Sequence, residues 1–216
     1  MKNARKKRNL KVYKLIKKIF DIVFSLFILI TFIPLFLIIS SLIKLSSRGP
    51  IFFLQERIGK NNIPFKCIKF RTMYPEAKDI LKNLLNNDEK IKKEFEQTHK
   101  IKNDPRITTI GKLLRKTSLD ELPQFINVLR NEMSIVGPRP IVKAEKKKYG
   151  KNSVKLLSIK PGITGLWQVS GRNNLTYRKR VMLDINYVKN YNLLMDIRIL
   201  IRTFGVILFP LDKGAY

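Results

Sequence analysis

The longest uninterrupted apolar stretch of the chain lies near its N-terminus, where residues 22–43 carry no charge and are rich in Ile, Leu and Phe. A helix rises about 1.5 Å per residue, so this stretch is long enough to cross the roughly 30 Å hydrocarbon core of a bilayer. Pro34 lies close to its middle, where a proline predicts a kink or a break. The pattern therefore predicts a membrane helix interrupted at Pro34.

The charges on either side of this stretch indicate how the helix enters the membrane. Residues 1–18 contain nine Lys or Arg and no acid, and residues 44–71 contain seven more basic side chains. A single kinked span would place one basic flank outside the cytoplasm, against the positive-inside tendency. A helix that enters, breaks and returns keeps both flanks inside. We therefore predict a basic cytoplasmic arm at residues 1–18 and a re-entrant membrane helix at residues 19–45.

Shorter periodic segments follow and predict one cytoplasmic domain at residues 46–216, of the α+β class and mostly helical. The last helical segment is apolar with interspersed charges, so it either packs in a core or lies as an amphipathic helix at the membrane interface. The predicted strands form a β-hairpin of residues 51–58 and 64–73. Helices are predicted near 75–98, 120–130, 177–191 and 193–209, with a short helix capped by Thr108 or Thr109. A non-helical segment is predicted at 134–140 and a basic helical connector at 141–158.

Composition narrows the partners and the metals. The formal net charge of +28 implies an anionic partner: nucleic acid, anionic lipid or a phosphorylated substrate. No nucleic-acid-binding signature is evident, so we predict no nucleic-acid partner. A single cysteine, Cys67, precludes an internal disulfide, and a single histidine, His99, leaves no His-rich metal site. Any metal is therefore expected to be oxygen-ligated Mg²⁺ or Mn²⁺.

Two adjacent carboxylates, Asp120 and Glu121, stand out in this basic chain. Arg115 precedes them and Arg139 follows. Cations keep a carboxylate ionised and also hold phosphate, so the group has the parts needed for phosphoryl transfer to an aspartate. The spacing from Ser118 to Glu121 is also that of a helix capping box, in which the same acids would only stabilise a helix start. Spacing alone slightly favours the capping box.

Motifs along nearly the whole chain decide between these interpretations, because in their order they are those of a known family. The chain resembles the bacterial sugar transferase family, the monotopic phosphoglycosyl transferases that act on polyprenyl phosphate. The motifs that carry the resemblance are Lys18-Ile-Phe-Asp21, Gly49-Pro-Ile-Phe-Phe-Leu-Gln-Glu-Arg-Ile-Gly59, Phe65-Lys-Cys-Ile-Lys-Phe-Arg-Thr-Met73, Asn103-Asp-Pro-Arg-Ile-Thr108, Arg115 through Pro140, Pro161-Gly-Ile-Thr-Gly-Leu-Trp-Gln-Val-Ser-Gly-Arg172 and Leu183-Asp-Ile-Asn-Tyr-Val188.

The resemblance implies an activity and roles for the acidic pair. Asp120 would attack a UDP-sugar, form a covalent phosphosugar-aspartyl intermediate and release UMP. Polyprenyl phosphate would then accept the phosphosugar, at the cytoplasmic face of the bacterial inner membrane, to begin surface polysaccharide or glycoconjugate synthesis. Glu121 would ligate the divalent metal, and Arg115 and Arg139 would neutralise phosphate charge. The re-entrant helix is also a property of this family.

The resemblance implies further site residues, each with an ordinary structural alternative. Lys69 and Arg71 would lie near the active site, or on an exposed strand face. Gln168 and Arg172 would contact the nucleotide, although their glycine-rich segment fits an ordinary loop as well. Asp184 would bind sugar or metal, or would pair with the arginine one turn before it.

Two other classes of function compete with the enzyme. One is a membrane-tethered basic protein that binds nucleic acid, and the other is a membrane scaffold without chemistry. The sugar, the pathway served and the oligomeric state are left open by the sequence.

Overall fold

The computed structural model describes residues 2–98, 101–171 and 174–208, which are mostly helical with two small two-stranded sheets. The helices are α1 (Lys2–Thr31), α2 (Ile33–Ser46), α3 (Ala77–Asn87), α4 (Glu89–Thr98), α5 (Thr109–Thr117), α6 (Gln124–Leu129), α7 (Lys146–Tyr149), α8 (Ser153–Leu156), α9 (Tyr177–Asn190) and α10 (Leu193–Leu208). The strands are β1 (Phe52–Ile58), β2 (Pro64–Phe70), β3 (Ser134–Val136) and β4 (Gly162–Thr164).

The described residues form two compact units. The first comprises those within Met1–Ile33, Leu54–Ile68 and Pro123–Ala215, and the second those within Pro34–Phe53 and Lys69–Leu122. The predicted mostly helical fold with a β-hairpin is confirmed, because β1 pairs with β2.

The N-terminal apolar stretch is broken, as predicted, near its proline. Helix α1 ends at Thr31, α2 begins at Ile33, and Pro34 occupies the first turn of α2, where a missing N–H is tolerated. Within the described residues no single helix is long and apolar enough to cross a membrane. The pair Lys11–Thr31 and Ile33–Ser46 meets that criterion only together, and the two helices are bent by 61° at their junction.

In the first unit, buried carboxylates tie helix α1 to the rest of the unit. Asp21 is 7% exposed, and its Oδ1 accepts a hydrogen bond of 3.0 Å from the backbone N–H of Ile135 in β3. Asp196 at the start of α10 accepts hydrogen bonds from Tyr13, Lys17 and Tyr187 at 2.6–2.7 Å. Strand β3 pairs in parallel with β4, with Ser134 opposite Gly162 and Val136 opposite Thr164.

In the second unit, an apolar cluster joins α2, β2 and α5. Its buried members are Ile39, Ile43, Phe70 and Leu114. Two further leucines, Leu119 and Leu122, pack against this cluster, and they immediately flank the Asp120–Glu121 pair. The partial burial of these leucines therefore anchors the short turn that carries both carboxylates.

Two predicted helices differ from the observed ones. The segment 75–98 is two helices rather than one, because Asp88 leaves helical geometry and its carboxylate accepts the N–H groups of Lys90 and Ile91 to begin α4. The helix predicted from residue 120 begins only at Gln124, after a 3₁₀ turn at Leu119–Glu121. The connector at 141–158 consists of short helical turns, as expected.

Candidate active site

The acidic pair lies in a turn that follows helix α5. This helix packs closely against the segment that follows strand β2. Thr108 caps α5 by accepting a 2.9 Å hydrogen bond from the N–H of Gly111, which confirms one of the two predicted caps. A Cβ placed on Gly111 would lie 2.0 Å from the carbonyl oxygen of Thr72. Only glycine therefore permits this approach, which holds α5 against the segment that follows β2.

The capping box suggested by the spacing does not form. Ser118 ends α5 in the left-handed conformation, with φ 59° and ψ 15°, and its side chain makes no capping hydrogen bond. Its backbone carbonyl oxygen instead accepts a 3.2 Å hydrogen bond from the N–H of Glu121. The backbone reversal at Ser118 thus forms the turn, and the two carboxylates are not required for it.

Glu121 makes an ion pair with Lys69 of strand β2. The Lys69 Nζ lies 2.6 Å from Glu121 Oε1, and the two side chains are 15% and 21% exposed. Asp120, next to it, is also partly buried. The structure therefore joins one predicted binding residue, Lys69, directly to the acidic pair, in an environment partly shielded from water.

Arg115 is held within the same unit. Its Nε donates a 2.8 Å hydrogen bond to the Thr72 hydroxyl. Its charge also acts on the nearby carboxyl of Asp104. Burial raises the pKa of that carboxyl, but the hydrogen bonds and charge of Arg106 outweigh this effect. With a smaller contribution from the Arg115 charge, they lower the pKa of Asp104 below its ordinary value. The hydrogen bond to Thr72 therefore orients the Arg115 side chain in the last turn of α5, just before the acidic pair.

Arg71 occupies a different environment from Lys69. Its guanidinium donates to the backbone carbonyls of Ser47 at 2.8 Å and Arg48 at 3.0 Å, where the carbonyl end of α2 accumulates negative partial charge. Burial lowers the pKa of Arg71. This geometry gives Arg71 a structural role at the end of α2, and its contact with substrate stays a prediction.

The remaining predicted site residues belong to the first unit. Arg139 follows Pro138, whose carbonyl accepts a 2.8 Å hydrogen bond from Gly162 N–H. On its other side the Pro140 carbonyl accepts a 3.0 Å hydrogen bond from the buried guanidinium of Arg57. The loop is therefore fixed on both sides of Arg139, as the flanking prolines predict, and Arg139 lines a cavity of about 50 Å³.

Asp184 lies behind this cavity and is fully buried. The Tyr149 hydroxyl donates a 2.7 Å hydrogen bond to its Oδ2, while its Oδ1 has no hydrogen-bond partner among the described residues. Burial raises the pKa of Asp184 to about 7, against the opposing effects of the Tyr149 hydrogen bond and the Arg139 charge.

Gln168 and Arg172 complete the predicted set. The Gln168 Nε2 donates a 3.0 Å hydrogen bond to the Ile163 carbonyl, so part of this amide holds the loop after β4. Arg172 lies outside the described residues. Its contact with nucleotide, like that of Gln168, stays a prediction.

The family model for the bacterial sugar transferases matches residues 12–210 of the chain. The chain belongs to this family. The resemblance seen in the sequence motifs is confirmed, and the chain is a transferase.

Curated relatives of this sugar transferase have closely related names. It is 44% identical to the exopolysaccharide production protein ExoY of Rhizobium meliloti, over 93% of the chain and 88% of that protein. It is 47% identical to the undecaprenyl-phosphate galactose phosphotransferase of Salmonella typhimurium, over 94% of the chain and 42% of that relative. A UDP-glucose:undecaprenyl-phosphate glucose-1-phosphate transferase of Escherichia coli is 39% identical, over 95% of the chain and 42% of the relative.

The acidic pair of the sugar transferase offers the donors that Mg²⁺ prefers. Within the described residues no group of three or more His, Cys, Asp or Glu side chains forms a metal site, so a site built from protein ligands alone is not found there. Mg²⁺ in phosphate-handling enzymes is usually held by one or two carboxylates together with substrate phosphates. Asp120 and Glu121 fit that pattern.

Three residues that the sequence did not single out as site residues lie beside Arg139. Trp167, Tyr177 and Arg180 line the same cavity. Tyr177 and Arg180 are three residues apart on α9, which places them on one face of that helix. Their spacing in the sequence therefore predicts that Tyr177 and Arg180 share a helix face. It does not predict that this face lies beside the loop of Arg139.

Proposed function

We propose that the chain transfers a sugar 1-phosphate from a UDP-sugar to polyprenyl phosphate, releasing UMP, as the initiating step of surface polysaccharide or glycoconjugate synthesis. The observation that carries this proposal is the partly buried Asp120–Glu121 pair, with Glu121 bound to Lys69, in a member of the bacterial sugar transferase family. The names of the Salmonella and Escherichia coli relatives support the lipid acceptor and the transferred group. The enzyme is thus a phosphoglycosyl transferase.

In the first step, a carboxylate oxygen of Asp120 attacks the sugar-bearing phosphorus of the UDP-sugar. A new bond forms between the Asp120 oxygen and phosphorus, giving an acyl phosphate. The bond between that phosphorus and the bridging oxygen breaks, and UMP leaves with the bond electrons. A carboxylate nucleophile attacks directly through its oxygen, so this step needs a positioned carboxylate rather than a general base. The turn fixed by Leu119 and Leu122 provides such a position.

In the second step, a phosphate oxygen of the polyprenyl phosphate attacks the same phosphorus. The Asp120–phosphorus bond breaks, the carboxylate is regenerated, and a polyprenyl-diphosphate-linked sugar leaves. Two displacements at one phosphorus allow donor and acceptor to react in turn. The nucleophile is restored without a further reactant.

Lys69, Glu121 and Arg115 support both steps. Lys69 neutralises part of the charge on the acidic pair and orients Glu121, and Arg115, held by Thr72 in the helix before the turn, would supply a second cation for phosphate. Glu121 would hold Mg²⁺ together with substrate phosphates, and Mg²⁺ when bound lowers the cost of the negative charge on a diphosphate. Charge neutralisation of this kind is a main source of catalysis in phosphoryl transfer.

The N-terminal helices supply the attachment to the membrane in this proposal. Helix α1 exposes many apolar side chains, including Val23 and Phe27 at 61% and 60%. Apolar exposure on this scale calls for lipid contact. The bend near Pro34 and the basic residues on both sides support a re-entrant helix with the catalytic part at the cytoplasmic face of the inner membrane.

Helix α10 supplies a second contact with the lipid surface. Leu194, Ile197, Ile201 and Phe204 are 43–66% exposed on this helix, and their spacing places them on one face. An apolar face beside basic residues is typical of a helix that lies in the membrane interface. The proposal therefore favours the interfacial interpretation of this segment over core packing.

The direct test uses the purified full chain in detergent with Mg²⁺, undecaprenyl phosphate and a panel of UDP-sugars. The proposal requires UMP as the nucleotide product, and the sugar that reacts identifies the donor. Asp120→Asn is expected to abolish UMP release, whereas the matched variant Asp79→Asn, on the exposed face of α3, is expected to retain it. Release of UDP in place of UMP would refute the assignment.

The membrane arrangement has a separate test. A cysteine introduced at position 11, before the apolar stretch, and one introduced at position 48, after it, are both expected to react with an impermeant thiol reagent only from the cytoplasmic side. Labelling of the two positions from opposite sides would mean that the helix spans the membrane.

A further inference from the structure

The cavity beside Arg139 has an unusual lining for so small a space. Its volume is about 50 Å³, and its wall contains two cations, three aromatic rings and one carboxylate: Arg139, Arg180, Tyr149, Trp167, Tyr177 and Glu145. A cavity of this volume holds only a few water-sized groups. It is therefore large enough for a small polar group.

The two cations are positioned in different ways. The Arg180 Nε donates a 3.1 Å hydrogen bond to the Leu175 carbonyl, and its Cζ lies 4.8 Å from the ring centre of Trp167. For Arg139 it is the backbone that is held, because the carbonyl of the next residue, Pro140, accepts a hydrogen bond from Arg57. Two guanidinium groups that line one small cavity offer charge and donors to an anion.

A buried donor points to the same chemistry. Trp167 is 8% exposed, and its indole Nε1–H has no hydrogen-bond partner among the described residues. An indole N–H can only donate. Leaving such a group buried and unpaired costs free energy unless a ligand accepts its hydrogen bond. The ligand that suits this wall therefore carries acceptor oxygens and negative charge.

The one carboxylate on the wall is engaged by the protein itself. Glu145 Oε2 accepts a 3.0 Å hydrogen bond from Val142 N–H and lies 3.5 Å from Arg57 NH1. The Tyr149 hydroxyl donates to Asp184. Arg57 therefore offsets part of the Glu145 charge, which would otherwise repel an anion in the cavity.

We infer that this cavity is a phosphoryl-binding subsite, in which Arg139, Arg180 and the Trp167 indole N–H hold the non-bridging oxygens of a phosphate monoester. The inference rests on the proposed function, in which both the nucleotide and the lipid carrier present phosphoryl groups. Arg180 and Trp167 are then substrate-binding residues of this transferase. These three side chains would contact only the phosphoryl group, so the nucleotide and the lipid carrier would each provide a suitable ligand.

The test uses Trp167 as the reporter, because it is the only tryptophan in the chain. The purified full chain in detergent is titrated with UMP, with a short-chain isoprenyl phosphate and with inorganic phosphate, while tryptophan emission is recorded. A saturable change with UMP alone assigns the subsite to the nucleotide, and one with the isoprenyl phosphate alone assigns it to the lipid carrier. Either result, or saturation by all three, supports the inference.

The deciding variant is Arg180→Gln, with Arg178→Gln as its control, since Arg178 is an exposed arginine of the same helix. Loss of a charge-assisted hydrogen bond is expected to raise the Kd about tenfold or more in Arg180→Gln. The Kd of Arg178→Gln is expected to stay within about twofold of the parent value, because an exposed charge contributes little. Arg180→Lys, which keeps the charge, serves if the glutamine variant fails to fold, and its Kd is expected to be raised.

Two results would overturn the inference: no saturable emission change with any phosphate, or equal weakening in Arg178→Gln and Arg180→Gln. UMP release is measured on the same preparations. Release without an emission response leaves the proposed function in place and removes the subsite. An emission response that Arg180→Gln weakens, without UMP release from any UDP-sugar, supports the subsite and removes the proposed function.

Discussion

The buried carboxyl of Asp184 predicts a pH-dependent stability that one substitution should remove. Its side chain is fully buried, and only its Oδ2 has a hydrogen-bond partner, the Tyr149 hydroxyl, among the described residues. Ionising such a group inside the protein costs free energy because the Tyr149 hydrogen bond and the Arg139 charge replace only part of its lost hydration. Asp184→Asn keeps the shape and the acceptor but cannot ionise.

The size of the effect follows from the raised pKa. Burial places the pKa of Asp184 at about 7, against an ordinary value of 3.8. Between these two pH values the unfolded carboxyl is ionised and the folded one is protonated. The stabilisation is therefore fully present below about pH 3.8 and is lost as the pH rises through about 7. The total loss corresponds to about 4 kcal/mol.

The assay compares the parent protein with Asp184→Asn by thermal unfolding from pH 4.5 to pH 7.5. Over this range the Asn variant is expected to gain about 3 kcal/mol relative to the parent. For a chain of this size, that gain corresponds to a change of about 6–12 °C in the difference between the two Tm values. Titration of all other groups is common to both proteins and cancels in the difference.

Asp79→Asn provides the control, because Asp79 is exposed on α3. Its Tm is expected to run parallel to that of the parent protein across the same pH range. A constant Tm difference between the parent and Asp184→Asn from pH 4.5 to pH 7.5 would refute the reasoning. It would mean that the carboxyl has the same pKa in the folded and unfolded states.

Three further substitutions test separate parts of the account. Lys69→Met should lower kcat/KM for UMP release about 10- to 100-fold, since Lys69 orients Glu121; an unchanged kcat/KM would contradict that role. Asn127→Leu should lower stability by about 2–4 kcal/mol, because the Asn127 side chain pairs with the backbone of β2 on both its amide atoms; an unchanged Tm would show that this pairing contributes little. Thr108→Ala should cost about 1 kcal/mol by removing the cap of α5, and Thr108→Ser should restore most of that loss.

Local sequence signals were sufficient for much of the fold. Proline chemistry placed the helix break near Pro34, and Thr108 was one of two named caps for α5. Asn131 adopts a left-handed conformation with φ 64°, as an asparagine side chain allows. Each of these outcomes depends on interactions within a few residues, which a sequence displays directly.

Longer-range pairings were not visible in the same way. Strands β3 and β4 have three residues each and pair across a long separation in sequence, so neither shows a recognisable alternation. The sequence pattern does not predict the division of the segment 75–98, because Asp88 ends α3 through its extended backbone and begins α4 through its carboxylate.

In the candidate site, too, local motifs are visible in the sequence and contacts between distant segments are not. The motif around Asp120 and Glu121 was recognised from sequence, but its spacing also fitted a capping box that the backbone of Ser118 precludes. The contacts of Tyr149 with Asp184 and of Trp167 with Arg180 join distant segments. Spacing does not reveal such contacts, because they depend on how helices and loops pack.

The most direct test of the central claim is mass analysis of peptides from the enzyme after reaction with a UDP-sugar and Mg²⁺ in the absence of polyprenyl phosphate. The account predicts that the peptide containing Asp120 gains the mass of a sugar phosphate, that the modification lies on Asp120, and that adding undecaprenyl phosphate removes it. An enzyme that releases UMP at full rate without modification of Asp120, or with the sugar phosphate on another residue, would contradict the account.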